Sequence, residues 1–75
     1  MTEIDYKICQ VIKHCKENFN MDANIGYISK IIFYSKEGTR YHMNKLIKLG
    51  IVEKTEDNRY RLLVNNIKWG IVKWD

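Results

Sequence analysis

Residues 35–50 read SKEGTRYHMNKLIKLG, and IVEK follows without a spacer. Ser35 is a favourable N-cap, and Glu37 in the first turn suits the positive end of a helix dipole. Thr39, Met43, Leu46 and Leu49 recur at i, i+4, i+7 and i+10, which predicts one apolar stripe on a helix over about 35–49. Gly50 is placed to stop that helix in a left-handed conformation. The β-prone residues 51–54 must then begin a strand at the point where the helix ends. A helix marked at both ends, with a strand attached directly to it, leaves few arrangements for the remainder of so short a chain.

The 75 residues make one domain, near the lower limit for a self-sufficient core. A fraction of 45% hydrophobic residues places the chain among globular rather than disordered sequences. Upstream, Thr2 and Asp5 have capping-box spacing. Ile4, Ile8, Val11, Ile12, Cys15 and Phe19 then repeat with helical period, predicting a first helix over about 3–18. Asn18, Asn20, Asp22 and Asn24 break it, and Ile25 suits a one-rung strand. With Gly26 as N-cap, a short second helix runs over 27–32 with Ile28 and Ile32 inward, and Phe33 and Tyr34 make a tight turn. After the third helix, residues 55–58 are a polar turn. Tyr60, Leu62 and Val64 then alternate on one face, so 51–64 reads as a β-hairpin. In the tail, Val64, Ile67, Ile71 and Trp74 fit a helical face. Ile67, Trp69 and Ile71 also fit a strand; the helical reading is preferred.

Charge is unevenly spread. Residues 1–24 hold three Lys and four acids, whereas 25–64 hold eight Lys/Arg and four acids. A basic half is what a polyanion would meet. Cys9 and Cys15 are six apart, form no CxxC pair and have only His14 nearby, so no metal site is expected. Both are expected as free thiols, Cys15 buried on the first helix and Cys9 off its stripe, either as a spare core residue or able to cross-link two copies in an oxidised setting. There is no Gly-rich phosphate loop and no nucleophile with a base at motif spacing. The chain is therefore read as a non-enzyme that needs no cofactor or small-molecule ligand. It has no apolar run long enough to span a bilayer, and acids stand where a signal peptide needs positive charge. A cytoplasmic protein, nucleoid-associated when bound to DNA, is expected.

The order helix, helix, turn, helix, hairpin, and above all the fragments TRYHMNKL, KLGIVEK and DNRYRL within 25–62, resemble the winged helix-turn-helix domain of ArsR/MarR-like bacterial and archaeal regulators. The short, Ile-, Lys- and Asn-rich chain is also similar to small regulators of archaeal viruses or plasmids. The resemblance implies an α+β, mostly α fold: three helices, a two-stranded wing and a C-terminal helix. It further implies sequence-specific binding of double-stranded DNA in transcription regulation, with the third helix in the major groove and the wing on the backbone or minor groove.

On the 3.6 period Lys36, Glu37, Arg40, Tyr41 and Asn44 turn outward. Arg40 could fork onto guanine, Asn44 could pair with adenine, and Lys36 could hold phosphate. In the wing, Lys54, Arg59 and Arg61 are backbone candidates, and the family pattern has Asp57 steadying Arg59. Ordinary cross-strand pairing is the competing reading, strongest for Arg61. Ser29 and Lys30 could touch phosphate from helix two. His42 could pack on the wing or flank DNA, and Lys45 and Lys48 read as solvated. Phe33 stands where the family has Gly, and Gly38 where it has Ser or Thr. The metal-sensing cysteines of ArsR members are absent. Ile67, Trp69, Ile71 and Trp74 in the segment 65–75 are expected at a homodimer contact, or folded back over the chain's own core. Winged helices also serve as protein-docking modules in transcription or replication assemblies, which is the alternative function.

Overall fold

The computed structural model describes residues 2–64. Three helices, α1 (Glu3–Phe19), α2 (Ile25–Ile31) and α3 (Lys36–Lys48), pack with a small antiparallel sheet. Its strands are β1 (Ala23–Asn24), β2 (Val52–Lys54) and β3 (Arg59–Leu62), in the order β1-β3-β2. The sheet therefore has one strand more than the expected hairpin. Ala23 pairs with Tyr60 and Asn24 with Arg59, so the extra rung lies just before Ile25, which already begins α2. No helix among the described residues is long and apolar enough to cross a membrane.

The helix ends follow local chemistry. In α1 the Thr2 hydroxyl accepts the Asp5 N–H and the Asp5 carboxylate accepts the Thr2 N–H, completing the capping box. Asn24, not Gly26, caps α2. Its Oδ1 accepts the Tyr27 N–H at 2.8 Å, an acceptor that glycine lacks. Ser35 caps α3 through the Gly38 N–H. At the other end Gly50 has φ +75°; its N–H bonds to the Ile47 carbonyl while that of Ile51 bonds to Leu46. This paired closure satisfies the last carbonyls of α3 and starts the hairpin at once.

Ile8, Cys9 and Ile12 of α1, Ile28 of α2, Met43 and Leu46 of α3, and Val52 and Tyr60 of the hairpin form the core. Cys9 belongs to it as well, the core reading of the two that its position off the main stripe left open. Because α1 packs on both α3 and β3, its buried face is wider than one row. Burial and the nearby Asp5 carboxylate raise the Cys9 thiol pKa to about 12, so it is an inert packing group. Two expected core residues lie outside. Phe19 is 59% exposed because Cys15 is the last buried position of α1. Leu49, 62% exposed, is the cap residue of α3; beyond it Val52 enters the core and Ile51 packs against it. Val64 is also exposed, since β3 ends at Leu62.

Candidate nucleic-acid interface

The buried positions of α3, Thr39, Met43 and Leu46, fix its rotation about its own axis. Lys36, Glu37, Arg40, Tyr41 and Asn44 are consequently all exposed, as the periodicity requires. Lys48 completes the row Lys36, Arg40, Asn44, Lys48, each four residues from the next. At 1.5 Å per residue that row is about 18 Å long. Among the described residues, Lys36, Arg40 and Lys48 make no ion pair, and Glu37 is the only acid on α3. Lys48 is exposed and without an ion pair among the described residues, as expected of a solvated cation, and the i+4 count from Lys36 also places it in the row.

The first turn of α3 is shaped by Gly38. A Cβ there would overlap Cδ2 and Cε2 of the Tyr34 ring, which lies against the helix start. Glycine at this unusual position thus admits an aromatic side chain from the preceding turn. The turn itself is strained. Phe33 has φ +56° and is 94% exposed, so a bulky residue holds a left-handed conformation with almost no burial in return.

His42 and Lys45 turn their polar ends toward α1, although the Lys45 side chain stays 38% exposed. Nδ1 of His42 lies 2.8 Å from Oδ1 of Asp5, and Nζ of Lys45 lies 3.1 Å from Oδ2 of the same carboxylate. Asp5 is fully buried, and burial opposes its charge. The Thr2 N–H, Lys45 and His42 together outweigh that penalty and lower its pKa below the usual value. His42 and Lys45 of α3 are therefore both engaged by α1, and the link holds the third helix at a defined position on the first. The capping box marks Asp5 in the sequence, but nothing local indicates that its carboxylate also reaches across to a second helix.

In the hairpin the arginines make the pairs within the protein that were the competing reading. Arg61 stands opposite Glu53 in register, pairs with it at 3.5 Å, and lies 3.8 Å from Asp22. Arg59 is 3.5 Å from Asp57, as the family pattern anticipates. Its Nη1 also donates to the Asp22 carbonyl at 3.0 Å, tying β3 to the chain before β1. Both guanidinium groups are thus engaged within the protein. Lys54 alone in the hairpin is exposed without an ion partner among the described residues. The loop carries the exposed acids Glu56 and Asp57, so residues 52–62 have three cations against three acids. Residues 25–48, by contrast, carry five Lys/Arg and one acid. The basic surplus belongs to α2 and α3, not to the hairpin.

Comparison of the chain with family models, with curated proteins and with solved structures gives no match. On α2, Lys30 is exposed and unpaired among the described residues, but Ser29 is buried and its hydroxyl donates to the Gly26 carbonyl. Ser29 is a packing residue and cannot reach a phosphate. Ile67, Trp69, Ile71 and Trp74, with the expected C-terminal helix, lie outside the described residues.

Proposed function

We propose that this protein is a winged helix-turn-helix domain that binds double-stranded DNA sequence-specifically, as a transcriptional regulator, with α3 in the major groove. The observation that carries the reading is the exposed row Lys36, Arg40, Asn44, Lys48 on a helix whose inward face is fully committed to the core. Its length of about 18 Å matches about five base pairs at 3.4 Å each. Arg40 and Asn44 carry the forked donor and the amide that suit guanine and adenine edges. Glu37 could accept from a cytosine amino group. Lys36 sits at the helix start and Lys48 at its end, where phosphates flank a groove-bound helix. Lys30 and Lys54 would extend the backbone contact from α2 and the hairpin. Arg59 and Arg61 serve the sheet in this reading, so the wing grips DNA weakly.

Salt titration of a DNA-shift assay tests the proposal. Four to five phosphate contacts give a slope of log K against log salt of about −4. A salt-insensitive complex, or no complex at low salt, would overturn it. The second reading, a protein-docking winged helix, is favoured by one observation: the nearly fully exposed Phe33 projecting from a strained turn. Such a docking surface would change little with ionic strength.

A further inference from the structure

The row on α3 leaves out a residue that points almost straight away from the core. Tyr41 is two positions from Thr39 and two from Met43, and at about 100° per residue each interval turns it about 160° from them. From Leu46 the separation is about 140°. Tyr41 therefore stands at the crest of the outward face and is 69% exposed. Its neighbours at i±3 and i±4 are Glu37, Gly38, Asn44 and Lys45, so the ring finds no large apolar partner along the helix.

An exposed side chain is ordinarily loose, but this one is braced. The Tyr41 ring stands edge-on to the His42 imidazole, with centroids 5.4 Å apart and planes at 85°. His42 is itself edge-on to Tyr34, and its Nδ1 is bonded to the fully buried Asp5. That hydrogen bond fixes the imidazole, and the edge-to-face contact favours one setting of the Tyr41 ring against it. A buried carboxylate of α1 thus acts, through one intervening ring, on the crest of α3. Tyrosine also loses less side-chain entropy on binding than the lysines and arginine of the row.

The major groove offers hydrogen-bonding base edges and one apolar group, the C5-methyl of thymine. Arg40, Asn44 and Glu37 suit the edges, and the Tyr41 ring suits the methyl. We infer that Tyr41 reads a base by packing on a thymine methyl, and that His42 and Asp5 are positioning residues that hold its ring for this contact. This rests on α3 lying in the major groove, as proposed above, and gives a base to an outward side chain left without one.

Duplexes enriched from a random pool by the whole protein supply the probe, each measured again with single thymines replaced by uracil, which lacks only the methyl. At one position the replacement should weaken binding about fourfold, the effect of burying one methyl group. Tyr41→Ala should bind the thymine and uracil duplexes equally, while Tyr41→Phe keeps the difference. Tyr41 is at the surface, so the fold does not depend on it. His42→Leu, which breaks the link to Asp5, should shrink the difference and leave the salt slope unchanged. A full difference in His42→Leu would remove His42 and Asp5 from the positioning role. Duplexes indifferent to every replacement, or a difference that persists in Tyr41→Ala, would overturn the inference while α3 remains the contact helix. Enrichment of no sequence would overturn the groove reading itself and the methyl contact with it.

Discussion

The carboxylate of Asp5, in the first turn of α1, receives Nδ1 of His42 at 2.8 Å from the middle of α3. Because Asp5 is held ionised, the imidazole nitrogen is the donor. Lys45, one turn further along α3, binds the other oxygen. One buried group thus caps its own helix and fixes the helix proposed to meet DNA.

Removing that charge should cost stability. Asp5→Asn keeps the shape but weakens three hydrogen bonds, and a loss of about 1–3 kcal/mol in urea unfolding is expected at neutral pH. The folded pKa of Asp5 lies below its usual value of 3.8, so the unfolded chain binds the proton more readily. The stabilisation is complete above that value and is lost as pH falls through the folded pKa. Stability measured from pH 6 down to 2 should fall less steeply in Asp5→Asn than in the unmodified protein. Equal slopes would show that the carboxylate is not preferentially ionised in the folded state.

Gly38 and Tyr34 should be energetically coupled. Alanine is the better helix former by about 1 kcal/mol, so Gly38→Ala ought to stabilise α3. Its Cβ would instead displace the Tyr34 ring, which packs edge-on near His42 with centroids 6.0 Å apart. We expect Gly38→Ala to be neutral or destabilising alone, and to stabilise by about 0.5–1 kcal/mol in a Tyr34→Ala background. A double-mutant cycle of thermal unfolding measures the difference; additivity would mean that the ring does not lie against the glycine.

Phe33→Gly should stabilise the fold. Left-handed backbone costs a non-glycine residue roughly 1–2 kcal/mol, and at 94% exposure the ring returns little burial. Glycine's extra unfolded-state entropy offsets part of that, leaving a gain below about 1 kcal/mol. The same variant should leave DNA affinity unchanged if α3 is the reading element. Lost stability would indicate that Phe33 packs against something in the folded protein.

On DNA, the row on α3 and the hairpin should separate cleanly. Arg40→Ala is expected to cost about 1–3 kcal/mol on a cognate site and to relax selection at one position. Lys36→Ala should weaken all sequences alike and reduce the salt slope by about one. Arg61→Ala, whose guanidinium is paired with Glu53, should leave the slope where it was. Were Arg61 to change the slope and Arg40 to change nothing, the hairpin rather than α3 would be the contact surface.

The elements and their ends are written locally in this chain. Thr2 with Asp5, Ser35 and Gly50 act on backbone groups within a few residues, and the Thr39, Met43, Leu46 stripe sets which side of α3 is outward. Hence the three helices, the hairpin and the exposed row were all legible from the sequence. Which cations remain unpaired was not. Lys45 meets Asp5 across forty residues, and Arg59 donates to Asp22 across thirty-seven. Ser29 is buried because of what packs over α2, and Cys9 because α1 is covered on two sides. Periodicity tells a residue which face it occupies. Whether that face meets water, a carboxylate or another helix is a relation between distant segments, and only their packing decides it.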